Sequence, residues 1–223
     1  ESINLAIKGV CEAKFAKRKK VITVPTEHNA VLDSCRYMER HGCEVVYLGV
    51  DNYGLIDLDE LRDTICDNTA LVTIMVGNNE IGTIQPIKEI NEICREKGVV
   101  FFTDGTRGVG KIPINVKEMG IDMLSFSGHK IYGPKGIGAL YINSENENIE
   151  LEEQMSGGGH EHGMRSGTLN VPGIVGLGKA CEICNEEMDA EMERMTKWRD
   201  KMINAFLENI EGCILNGHPT QRL

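Results

Sequence analysis

Six short apolar runs, separated by amphipathic segments, constrain this chain more than any other feature. The runs are KVITV (20–24), EVVYL (44–48), ALVTIMV (70–76), VVFFT (99–103), DMLSFS (122–127) and GALYI (138–142). Helical periodicity fills 2–17, 29–41, 57–67 and 86–97. Near-continuous apolar strands are buried on both faces, and strand–helix alternation imposes right-handed crossovers. The expectation is an α/β fold with a mostly parallel sheet and helices on both faces. Asp57 with Glu60 three residues on reads as a capping box, and Pro86 with Gly98 brackets the fourth helix. From 171 to 209 the chain becomes Glu- and Met-rich with helical periodicity, its methionines expected to pack inward and its charges to be solvated. The segment GCILNGHPTQRL after it is expected to begin a new strand.

The 223 residues suffice for one large domain with part of another. The expected division is a large domain at 1–170, a long helical connection at 171–209, and the start of a small domain at 210–223. A formal charge of −10 offers no basic field to collect phosphates, which argues against nucleic acid as a partner. The basic cluster from Lys14 to Lys20 reads as the solvated end of the first helix. No run reaches the roughly 18–20 apolar residues of a membrane span, and the N-terminus lacks a leader pattern. Eight cysteines scattered through regular segments suit reduced thiols in a cytosol-like compartment. Cys181 and Cys184 form a C-x-x-C inside a helical pattern, so packing is favoured over redox or metal use. His160 and His162 lack a third ligand nearby, and no metal site is assigned. Neither a dinucleotide fingerprint nor a P-loop is present.

Ligands of open α/β sheets bind beyond the carboxyl ends of the strands, and polar groups gather there. His28 follows the first run, Asn79 the third and Asp104 the fourth; Ser127, His129 and Lys130 follow the fifth. Each has a plain structural alternative: a satisfied loop histidine, turn caps at Asn79 and Ser127, a turn carboxylate at Asp104, a solvated lysine. Together they suit a different task. A lysine amine that can hold an aldehyde, and a carboxylate that keeps a pyridine nitrogen protonated, are the two groups a pyridoxal phosphate enzyme needs. Glycines in GPKGIG (133–138) and SGGGHEHGMRSGT (156–168) allow backbone to approach a ligand.

The segments TEHNAVLDSCR, NNEIGTIQPI, SFSGHKIYGPKGIGALYI and GGGHEHGMRSGT, in this order, resemble the cysteine desulfurases of the NifS/IscS type. These belong to the class V aminotransferase group of pyridoxal phosphate enzymes. The resemblance implies the three-layer large domain of fold type I, with Lys130 holding the cofactor aldehyde. His28 would stack on the ring and assist proton transfer, Asp104 would pair with the pyridine nitrogen, and Asn79 would orient cofactor and substrate. Ser127 and His129 would hold the phosphate. Thr168 would reach the phosphate of a partner subunit, implying a homodimer. The implied reaction takes sulfur from L-cysteine, leaves alanine, and passes the sulfur through an enzyme persulfide. A sulfur-acceptor or iron–sulfur scaffold protein would receive it, in the cytoplasm or an organelle matrix.

Two departures bear on that reading. The family's glutamine three residues after the aspartate is replaced by Arg107, which can also donate a hydrogen bond but brings a fixed charge. The family's phosphate-binding Gly-Ala-Thr turn, its persulfide cysteine and its carboxylate-gripping arginine fall outside the chain. The 223 residues alone are therefore expected to be inactive. The alternatives are another class V enzyme, such as a selenocysteine lyase or a small-substrate aminotransferase, and a catalytically silent scaffold.

Overall fold

A computed structural model describes residues 1–13 and 17–223. Among them six strands form one sheet in the order β2-β1-β3-β4-β5-β6. The strands are β1 (Lys20–Thr23), β2 (Glu44–Tyr47), β3 (Thr69–Thr73), β4 (Val100–Asp104), β5 (Met123–Ser127) and β6 (Gly138–Ile142). The first five run parallel, and β6 pairs antiparallel to β5 at the edge. The helices are α1 (Ser2–Glu12), α2 (Asn29–Arg40), α3 (Leu58–Thr64), α4 (Ile87–Glu96) and α5 (Val171–Asn209). All six expected strands form, and a mixed three-layer α/β fold results.

Side chains that alternate along each strand feed two separate cores. Val21, Leu71, Phe102 and Met123 face α1 and α2, meeting Ile7, Val10, Val31 and Met38. Their sequence neighbours Ile22, Val72, Phe101 and Leu124 face the other way, onto Leu61, Ile87, Ile90 and Ile93 of the α3–α4 layer. Because both faces are covered, polar alternation is absent from the strands.

Helix ends follow local chemistry. Asp57 Oδ1 accepts the Asp59 and Glu60 N–H groups, so the expected cap forms at α3. Pro86 occupies the cap of α4, and Gly98 takes φ +63° just after its end. The first helix is shorter than its periodicity suggests. It ends at Glu12, and Lys14, Phe15 and Ala16 of the expected extension lie outside the described residues. The described part of the basic cluster is correspondingly not a helix end. Arg18 donates to the Gly98 carbonyl at 2.7 Å, Lys19 to Cys11 O at 2.8 Å and Lys20 to Thr64 O at 3.0 Å. These cations satisfy carbonyls left open at the amino edge of the sheet.

Two further expectations are corrected. The methionines of α5 do not pack inward: Met192, Met195 and Met202 are exposed, and Trp198 is 56% exposed. Only Gly173, Leu177 and Ala180 of that helix are buried, Leu177 and Ala180 on Ile131, and the later turns stay exposed except where Arg199 donates to the Arg222 carbonyl at 2.9 Å. The last segment also builds no strand. A single bridge joins Arg222 to Thr83, and Gln221 O accepts from Ile84 N while Leu223 N donates to Gly82 O. The tail lies along the loop after β3.

One buried carboxylate tests the sheet's polar bookkeeping. Asp122 Oδ2 accepts the Phe101 N–H at 2.9 Å, and Oδ1 accepts from Asn146 at 2.7 Å. Asp122→Ala leaves a buried N–H unpaired and should cost about 2 kcal/mol in urea unfolding, whereas Asp122→Asn should lose less than half of that.

Candidate active site at the strand ends

The strand order reverses between β1 and β3: β2 lies on one side of β1, and the chain then crosses to build β3 on the other. That is where a parallel sheet opens a crevice. Two side-chain hydrogen bonds close the gap between those strand ends. Glu27 Oε1 accepts the Met75 N–H at 2.5 Å, and Asn78 Nδ2 donates to the Thr26 carbonyl at 2.8 Å. Next along the edge, Val76 N donates to Asp104 O at 3.0 Å. Asp104 is in register with Ser125, and Gly105 N donates to Ser125 O at 2.8 Å. Four strand ends are thus stitched into one continuous rim.

The expected residues stand along it. His28 caps α2, its Nδ1 accepting from Ala30 N at 3.1 Å, which leaves Nε2 on an exposed ring. Asn79 is half-buried and donates only to the neighbouring Glu80 carboxylate. Asp104 is 4% exposed, and its Oδ1 accepts the Thr106 N–H at 2.9 Å. Arg107 is half-buried in the turn that follows, Gly105–Gly110. Ser127 Oγ and His129 Nδ1 are hydrogen-bonded at 2.8 Å. Lys130 closes the short 3-10 turn Gly128–Lys130 that leaves β5. Gly133 N returns to Gly128 O at 2.8 Å, and a side chain at Gly133 would bring its Cβ to 2.9 Å from that same carbonyl. The sharp fold behind Lys130 therefore needs glycine.

A cleft of about 760 Å³ opens beside this rim. Ser125, Ser127, His129 and Thr106 line it from the strand ends, Ser2 from the amino end of α1, and Arg165 from the loop before α5. A helix amino terminus presents unpaired N–H groups to an anion. Ser125 Oγ is buried there without a hydrogen-bond partner among the described residues. Arg165 holds the Glu1 carboxylate through Nε at 2.6 Å, and that bond keeps the Glu1 carboxyl below its ordinary range. Ser127 and His129 therefore face the cleft, whereas His28, Asn79, Asp104, Arg107 and Lys130 are not among its walls. The backbone of Thr106 joins the two groups. Thr168 stands apart: its neighbours Leu169 and Asn170 reach the cleft, while Thr168 is exposed.

Sequence reasoning overlooked two residues and exchanged the duties of a third. Of the pair Asn78–Asn79 it assigned the turn-capping alternative to Asn79, but buried Asn78 does that, accepting the N–H groups of Glu80 and Ile81. Arg165 was passed over within a glycine-rich motif. Glu27, beside His28, was passed over because a glutamate in a turn is ordinarily solvated. Here it is 5% exposed, and burial raises its carboxyl well above the usual range, aided by the nearby Asp104 charge and opposed by the Met75 N–H. Ser127 heads the turn before Lys130 without making a capping bond. His160 Nδ1 accepts from Gly167 N, which gives that histidine a turn-forming duty.

Residues 1–223 match the family described as Aminotransferase class-V along their whole length. The chain belongs to this family. A cysteine desulfurase IscS of Histophilus somni is 54% identical over 223 residues, covering 100% of this chain and 55% of that protein. Among solved structures, a NifS-like protein superposes with a TM-score of 0.89 at 39% identity, covering 96% of this chain and 58% of its own. A structure titled SspA in complex with cysteine gives 0.76 at 45% identity, covering 81% and 52%. The chain spans about half the length of the curated relatives it matches. Its sheet is the class-V large-domain sheet shared with those neighbours, fold type I.

The two asparagines make a sharp comparison. Asn78→Ala removes one donor and two accepted N–H groups and should cost about 2–3 kcal/mol in urea unfolding; Asn79→Ala should stay within about 0.5 kcal/mol.

Proposed function

We propose that this chain is the cofactor-binding part of a pyridoxal phosphate-dependent cysteine desulfurase, which takes sulfur from L-cysteine and leaves alanine. The observation that carries the reading is the stitched rim, which sets buried Asp104 in register with the strand that leads into Lys130. Family membership and the names of the relatives point the same way. The residues fit the cofactor's chemistry: a buried carboxylate for a pyridinium, a strand-end lysine for an aldehyde, and an unpartnered Ser125 hydroxyl with a helix amino end for a phosphate.

When bound, the group supplies an electron sink for the pair released as a bond at the substrate Cα breaks. The chain's residues do the rest. Lys130 would hold the aldehyde. Asp104, its Oδ1 fixed by Thr106, keeps the ring nitrogen protonated. His28 covers the ring and moves a proton at Nε2, since Nδ1 is engaged by the Ala30 N–H. Asn79 orients ring and substrate, and Ser127 with His129 holds the phosphate. Thr168, exposed outside the cleft, would serve the phosphate of a second subunit in a homodimer. Arg107 would donate to the ring's phenolate oxygen.

No persulfide cysteine is assigned. All eight cysteines are free, which suits a reducing cytoplasm or organelle matrix. No helix of the described residues is long and apolar enough to cross a membrane. Residues 1–170 form the large domain in this reading, 171–209 the connecting helix, and 210–223 the approach to a further domain. Its sulfur passes to an acceptor or iron–sulfur scaffold protein. The family's name keeps a second reading in play, a small-substrate aminotransferase.

Borohydride reduction of the full-length protein should fix a pyridoxyl group on the Lys130 peptide, read by mass spectrometry, and Lys130→Ala should give none. With an added dithiol to reduce the transferred sulfur, sulfide and alanine should then form in equal amounts from L-cysteine; net amino transfer to a keto acid would select the second reading. In Arg107→Gln the visible absorbance should titrate at higher pH than in the wild type, because a fixed positive charge favours the deprotonated chromophore. Superimposable titrations would remove Arg107 from the site.

A further inference from the structure

We propose that Glu27 is a neutral carboxylic acid that locks the β1–α2 turn onto β3 and so positions His28. The positioning half rests on the functional reading above; the state of the carboxyl does not. Three observations on the described residues carry it. The side chain is enclosed, with Oε1 bound to Met75 N–H. Oε2 is buried without a hydrogen-bond partner. No cation compensates it. The titratable groups that bear on it are Asp104 of β4 and the thiol of Cys35 on α2, and neither can supply positive charge.

A buried carboxylate persists only beside a cation or under several N–H donors. Glu27 has a single donor and an anionic neighbour, so its stable form carries the proton. Protonated, Glu27 still accepts from Met75 and holds the turn against β3. The next residue is His28, whose backbone begins α2 and whose ring is exposed. One peptide unit therefore separates the lock from the proposed proton-transfer group. A neutral acid can be replaced by its amide without changing charge, shape or the Met75 bond. A methyl group cannot make that bond.

Glu27→Gln and Glu27→Ala in the full-length protein provide the test. In native protein the raised carboxyl keeps its proton above the pH at which the unfolded chain, near 4.5, releases it. The unfolded state then binds fewer protons, so wild-type stability falls as pH rises relative to the amide variant. The urea midpoint of Glu27→Gln should match wild type at acid pH and move progressively above it toward neutrality. Infrared difference spectra between the two should show the carbonyl stretch of a protonated acid at neutral pH. A pH-independent midpoint gap, or bands of an ionised carboxylate alone, would overturn the neutral state.

For positioning, Glu27→Ala should weaken pyridoxal phosphate binding or lower turnover by about tenfold. Glu27→Gln should restore both to within about threefold. Failure of the amide to rescue would overturn the positioning role. If wild-type protein binds no pyridoxal phosphate, the functional reading falls and the positioning role with it. The infrared and urea results would still decide the carboxyl's state.

Discussion

The clamp across the β1–β3 gap governs the arrangement of everything above the sheet. Parallel strands whose order reverses leave their carboxyl ends diverging, because each must feed a crossover on an opposite face. Here two side chains draw those ends together, Glu27 reaching Met75 and Asn78 reaching Thr26. Both bonds join side chain to backbone, so they fix where the chain runs as well as what it contacts. His28 and Asn79 each lie one residue beyond a clamp residue. Their placement inherits the clamp's precision.

The fold was legible because burial on both faces leaves a strong mark. VVFFT and ALVTIMV are too apolar and too short for surface helices, and both became central strands. The ends of elements were harder to read. The periodicity of α1 continues past Glu12, yet the helix ends there, and Arg18 and Lys19 are drawn to carbonyls at the sheet's lower edge. The methionines of α5 carry the spacing of an inward face. Spacing reports what a helix is able to bury and not whether a neighbour is present, so that expectation failed.

The site was legible to the extent that strand ends are. Asp104, Ser127, His129 and Lys130 could be placed from the apolar runs before them. Asn78 and Asn79 could not be told apart, since either amide suits a turn and only the strand's exit direction decides which one points inward. Glu27 was illegible for a related reason. Nothing in TEH marks the glutamate as buried; its burial arises from packing between α2, β3 and β4, elements far apart in sequence.

The antiparallel partner of β5 carries one more implication. Because β6 returns directly alongside β5, with Ser127 opposite Gly138 and Gly128 N bonded to Ile137 O, Lys130 projects from a hairpin tied on both legs. A parallel neighbour would have required a long crossover, with Lys130 in its loose first stretch. Tethered this way, the lysine has little backbone freedom left to surrender when its amine engages a ligand, and mainly side-chain rotamers remain to be frozen. The reversal of a single edge strand would thus make the covalent capture proposed for Lys130 entropically inexpensive.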